Sequence, residues 1–147
     1  MKIKILDPRL EQDHFRPATP DSAAFDLRAC VHEPVELFRG GDPALIPCGF
    51  AAALMPGTAM ILLPRSGRGH RDGLVLGNLI GLIDADYREQ VFVSAWLRHG
   101  CWPAMVTIRP MDRIAQAVIV PIVRPALMFV DELDQTERVG GFGSTGQ

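Results

Sequence analysis

The chain has 147 residues, enough for one domain at about 100–200 residues each and too few for two. Lys plus Arg number 15 against 17 Asp plus Glu, a formal charge of −2, which excludes a general nucleic-acid binder. The longest apolar stretch, Gly49 to Pro64, is cut by Pro56-Gly57 and falls short of the ~20 residues a membrane helix needs, which argues against a membrane protein.

Taken in chain order, the apolar segments are short and bounded by turn residues. Fourteen glycines and twelve prolines interrupt the sequence too often for long helices. Strands are predicted over Ile3–Leu6, Phe25–Ala29, Val35–Phe38, Ala44–Pro47, Ala51–Met55, Ala59–Leu63, Leu79–Ile83, Gln90–Leu97, Met105–Ile108, Ile114–Val123 and Leu127–Leu133. A spacing of about 8–12 residues suits a sandwich or barrel rather than βαβ units. One helical turn is expected in Ser66–Asp72. The tail from Gly140 to Gln147, with Phe142 as its one apolar side chain, is expected to be mobile until something binds it. Met1-Lys-Ile-Lys4 predicts no secretory signal, and three cysteines without a CxxC pair (Cys30, Cys48, Cys101) predict a reducing, cytoplasmic setting.

Lys2 and Lys4 are the only lysines, so 13 of the 15 cations are arginine, the residue suited to bidentate contact with phosphate. Arg65, Arg68 and Arg71 crowd one segment. There Pro64-Arg-Ser-Gly-Arg-Gly-His70 follows a strand and combines guanidinium, hydroxyl and unhindered N–H groups, a turn that can wrap phosphate oxygens or simply lie in solvent. Further on, Gly81-Leu-Ile-Asp84-Ala-Asp-Tyr87 ends an apolar strand on a carboxylate. That is either a hairpin turn or, beside an anion site, a group able to deprotonate an attacking water. The C-terminal Arg138-Val-Gly-Gly-Phe-Gly-Ser-Thr-Gly146 is not a Walker A loop, since no Lys precedes the Ser. It remains a flexible flap whose Phe142 can lie on a flat ring. Cys30-x-His32 and His99-x-Cys101 fit no common zinc spacing.

Together these segments resemble the trimeric dUTPase family (deoxyuridine 5′-triphosphate nucleotidohydrolases). The likeness runs through Ser22-Ala-Ala-Phe-Asp26-Leu-Arg-Ala, Pro64-Arg-Ser-Gly67, Gly77-Asn78-Leu-Ile-Gly-Leu-Ile-Asp84-Ala-Asp-Tyr87, Arg113-Ile-Ala-Gln116 and Gly140-Gly-Phe-Gly-Ser-Thr-Gly146. Five ordered motifs are far more specific than any one of them. The resemblance implies an all-β distorted barrel or jelly roll, a homotrimer with active sites at subunit interfaces, magnesium, and hydrolysis of dUTP to dUMP and pyrophosphate. That reaction supplies the dTTP precursor and keeps uracil out of DNA.

By position, the resemblance implies that Asp84 activates the water attacking the α-phosphorus and that Tyr87 presses on the deoxyribose. Asn78, with main chain near Leu82, Ile83 and Phe92, would read uracil. Arg65, Ser66, Gly67 and Gln116 would hold phosphates, and Asp26 would stand near Mg2+ through its water shell. Arg138, Phe142, Ser144 and Thr145 would close over the nucleotide from another subunit. Ala24 and Glu89 replace family glycines, Leu97 replaces an asparagine, and the link from Arg138 to Gly140 is one residue short. A side chain at positive φ costs of order 1 kcal/mol, so Ala24 and Glu89 are where strain is expected. A dCTP deaminase of the same fold would call for a glutamate on the strand after the hairpin, and Gln90–Leu97 has none. A non-catalytic nucleotide-binding regulatory module is the remaining alternative, against which the intact Asp84 argues.

Overall fold

A computed structural model describes residues 1–100 and 102–136 of the chain. Cys101 and the tail positions Arg138, Phe142, Ser144 and Thr145 lie outside the described residues. Ten strands carry the fold: β1 Lys2–Ile5, β2 Ala24–Arg28, β3 Val35–Phe38, β4 Ala44–Ala53, β5 Thr58–Pro64, β6 Leu74–Leu76, β7 Gly81–Ile83, β8 Gln90–Leu97, β9 Met105–Ile108 and β10 Arg113–Pro121. All pair antiparallel, in one sheet ordered β1-β4-β8-β6, a second ordered β2-β10-β5-β7, and a two-stranded β3-β9. Among the described residues the sheets form a jelly-roll sandwich and do not join into a closed barrel.

The period-2 pattern explains the sandwich. Along β8, Val91, Val93, Ala95 and Leu97 are buried while their neighbours are half-exposed, so one face of the strand meets the core. Opposite it, β5 and β10 contribute Met60, Leu62, Ile114, Ala115 and Ala117 to the same apolar cluster. Leu97, where the resemblance implies an asparagine, is fully buried and pairs with Leu74. The substitution therefore adds to the core.

Several sequence expectations are corrected. Ala44–Pro47 and Ala51–Met55 are one strand, β4, with a register shift between Pro47 and Ala51. Gly49 there adopts φ +71 and makes a bulge where a turn was read. Strand β6 was not foreseen, because three residues between Gly73 and Gly77 are too few to display a period. The strand expected over Leu79–Ile83 begins only at Gly81, since Leu79 at φ 65 belongs to the preceding turn. Leu127–Leu133 forms no strand: its residues lie exposed with no ladder partner among the described residues, and β-propensity alone supplies no hydrogen bonds. A 3₁₀ turn at Gln12–Phe15 was also unforeseen, and the expected helical turn is present as a π-helical turn over Arg68–Asp72. Neither Ala24 nor Glu89 has positive φ; among the described non-glycine residues only Leu79 and Met111 do. No helix is long and apolar enough to cross a membrane among the described residues.

Candidate active site

The end of β5 delivers Arg65, Ser66 and Gly67 into a cavity of about 940 Å³ between β2, β10 and the π-helical turn. Asp26 and Gln116 are register partners on β2 and β10, and both face this cavity. Phe25 and Leu27 point into the core, so alternation turns Asp26 the other way. Its carboxylate accepts from Arg65 Nε at 2.6 Å and from Arg113 Nη1 at 3.1 Å. Gln116 Nε2 donates to the Pro64 carbonyl at 2.9 Å, tying β10 to the last residue of β5. Six arginines (16, 28, 65, 68, 71 and 113) line the cavity against Asp13 and Asp26. Such a concave, cation-rich wall attracts a polyanion, and arginine forks match phosphate oxygens.

A second cavity, of about 310 Å³, is lined by Leu45, Leu82, Ile83, Asp84, Tyr87 and Phe92. Its floor depends on β7 lying close against β5, because a Cβ at Gly81 would stand 2.8 Å from Leu62 Cβ. Asp84 follows the last residue of β7 and is exposed. The turn after it is fixed at three points: Tyr87 N–H donates to Asp84 O at 3.2 Å, Tyr87 Oη donates to Gln90 O at 2.9 Å, and Arg88 Nη1 donates to Ala85 O at 2.8 Å. Asn78 is exposed on the turn before β7, outside the lining of this cavity.

Within one chain the two cavities do not meet. Ile83 pairs with Met60 and Gly81 with Leu62, so Asp84 is level with Ala59 while Arg65 lies beyond the other end of β5. Six residues of strand separate them by roughly 20 Å. The carboxylate read from sequence as adjacent to the Arg65–Ser66 turn is therefore remote from that turn in its own chain. Leu45 was missed by sequence reading. Its signal was a large apolar residue at an outward strand position, 67% exposed and opposite Ser94.

Residues 11–146 match the dUTPase family model. The deoxyuridine 5′-triphosphate nucleotidohydrolase of Aromatoleum aromaticum is 51% identical over 99% of this chain and 96% of its own length. That of Paraburkholderia phymatum is 50% identical over 100% and 98%. Among solved structures, Staphylococcus bacteriophage 80alpha dUTPase with dUPNHPP superposes with a TM-score of 0.80 at 26% identity, covering 99% of this chain and 97% of that one. A dUTPase from phage phi11 of S. aureus, a structure concerned with a structural Mg(II) ion, has the same fold at 22% identity and a TM-score of 0.72, over 89% of this chain and 96% of that one. With family motifs, fold and whole-length identity in agreement, the chain belongs to the dUTPase family.

Proposed function

We propose that this chain hydrolyses dUTP to dUMP and pyrophosphate at sites shared between the subunits of a cytoplasmic homotrimer. One observation carries the reading: the base-sized cavity bearing Asp84 and the arginine cradle stand at opposite ends of β5. An attacking water must be about 3–3.5 Å from phosphorus. Phosphates held at Arg65–Gly67 therefore cannot present their α-phosphorus to Asp84 of the same chain, and rotational symmetry brings a neighbour's cradle there instead.

In this reading Asn78 and the main chain of Leu82 and Ile83 meet the uracil edge, with Phe92 beside it. Tyr87, its hydroxyl held on Gln90 O, lays its ring along the deoxyribose. Arg65, Ser66, Gly67 and Gln116 hold the phosphates. Asp84 takes a proton from a water whose oxygen attacks the α-phosphorus; the P–O bond to the bridging oxygen breaks and pyrophosphate leaves. The tail residues Arg138, Phe142, Ser144 and Thr145 close over the nucleotide from another subunit.

Magnesium binds through one or two carboxylates plus substrate phosphates and keeps several waters. Among the described residues no cluster of three or more His, Cys, Asp or Glu could hold a metal alone, but Asp26 faces the cradle. That donor set suits Mg2+ arriving with the triphosphate and held through water, where it would neutralise phosphate charge.

Pyrophosphate release measured with dUTP, dCTP, dTTP and UTP tests the function. Release from dUTP far above the other three is expected. Equal release from all four, or ammonia from dCTP, overturns it.

A further inference from the structure

We infer that Arg68 is a positioning residue, holding the phosphate cradle in register with the turn that leads into Arg113 of β10; this rests on the reading of Arg65, Ser66 and Gly67 as that cradle. Its side chain is 20% exposed, and its guanidinium stands between two carboxylates from different elements. Within the π-helical turn, Nε lies 2.8 Å from Asp72 Oδ2; across the cavity wall, Nη1 lies 4.0 Å from Asp112 Oδ2. Both are charge contacts: Nε is buried with no aligned hydrogen-bond acceptor among the described residues, and Nη1 stands beyond hydrogen-bond range.

Asp112 is a firm partner. Its Oδ2 accepts the Arg109 N–H at 3.0 Å, its own N–H donates to Arg109 O at 3.1 Å, and its carbonyl accepts the Ala29 N–H at 2.8 Å. The next residue is Arg113, whose Nη1 reaches Asp26 Oδ2 at 3.1 Å, while Arg65 Nε takes Oδ1 of the same carboxylate. Charges thus alternate through Asp72, Arg68 and Asp112, and again through Arg113, Asp26 and Arg65. Arg68 links the second set to the helical turn that immediately follows Ser66-Gly67. The main chain there is held locally by the Gly69 N–H on Arg65 O at 2.8 Å and by the Gly73 N–H on Arg68 O. A planar, delocalised guanidinium spreads its charge between the two carboxylates, which a lysine's compact point charge does not reproduce.

The test compares Arg65→Ala, Arg68→Met, Arg68→Lys, Asp112→Asn and the Arg68→Met/Asp112→Asn double variant in steady-state dUTP hydrolysis. Arg68→Met is expected to raise KM about tenfold or more with a smaller change in kcat, since small misplacement of a binding group is costly. Asp112→Asn, which keeps the oxygen that accepts Arg109 N–H, is expected to do the same, with the double variant no worse than the stronger single. Arg68→Lys is expected to restore only part of the loss. The preference for dUTP over UTP is expected to stay constant, because Tyr87 and Phe92 lie at the other end of β5. If Arg68→Met raises KM but Asp112→Asn does not, or if their effects multiply, Arg68 contacts the triphosphate itself and the positioning role is wrong. A lowered Tm with KM and kcat unchanged makes it a stability residue and likewise overturns the inference. Unchanged KM in Arg65→Ala overturns the cradle and this inference together, whereas a raised KM there with an indifferent Arg68→Met overturns this inference alone.

Discussion

Asp84 owes its place to the end of β7, where the ladder to β5 stops after Ile83–Met60 and the chain turns through Tyr87. That much was legible in the sequence: an apolar strand ending on a carboxylate, an aromatic three residues later. The Arg88 clamp on the turn and the Leu45 wall of the cavity were not, because both depend on neighbours that only the folded chain supplies. Asp84→Asn keeps shape and removes the proposed base, so kcat is expected to fall by ~10²–10⁴ while binding of a non-hydrolysable dUTP analogue persists. Turnover within tenfold of the parent would reject the assignment. Away from the site, hydrogen bonds from Arg9 hold the Asp7 carboxyl at about 2, down from 3.8, and burial pushes the Cys30 thiol beside it up to about 11. A depressed carboxyl stabilises the fold above its unfolded value and loses that contribution as pH falls through its folded one. Asp7→Asn is therefore expected to cost about 1 kcal/mol at neutral pH, the upper end for a partly exposed pair. The gap in urea midpoint, taken at fixed protein concentration, is expected to close from about pH 4 toward pH 2. A gap constant over that range would mean the ion pair is irrelevant.

At the scale of elements, the sequence reads well wherever a strand alternates and poorly wherever its continuation depends on one residue. Val35–Phe38, Gln90–Leu97 and Met105–Ile108 were legible to the residue, because two-sided strands write their period into the chain. Strand β4 was not. Pro47-Cys-Gly49 looks like a stop, yet Gly49 carries the chain through a bulge, and its carbonyl accepts the N–H groups of both Leu6 and Asp7. A Cβ on Gly49 would meet Cys30 Sγ at 2.5 Å and Asp7 Cβ at 2.8 Å, and the backbone there is left-handed. Gly49→Ala is expected to cost roughly 2–4 kcal/mol, adding a backbone penalty to a steric one. Gly57 separates the two: it has φ +79 but nothing within 4 Å of its Cβ position, so Gly57→Ala is expected to cost only about 1–2 kcal/mol. Equal urea midpoints for the two variants would show that the crowding around Gly49 relaxes freely.

For the whole molecule, the residues alone suggested Asp84 beside the Arg65–Ser66 turn, and sharing between subunits was only what the family resemblance implied, because a list of motifs carries no distance along a strand. The register of β5 and β7 sets the two apart within one chain, and the exposed Val123, Leu127, Met128, Phe129 and Leu133 form an apolar run of the kind that marks an interaction surface. Both features support the proposed sharing of sites between copies of the chain, and that division of labour can be tested without seeing the assembly. Take Asp84→Asn, which lacks the base but keeps the cradle, and the double variant Arg65→Ala/Ser66→Ala, which lacks the cradle but keeps the base. Refold them together in equal amounts. If each site joins one subunit's cradle to another's Asp84, random mixing leaves roughly one quarter of sites with both parts intact, and dUTP hydrolysis returns although each parent alone is dead. If cradle and base of one chain served the same site, every chain in the mixture would carry a fault and no site would be whole. Native mass spectrometry establishes that mixed trimers formed; with those present, a mixture as inactive as its parents would refute the shared site.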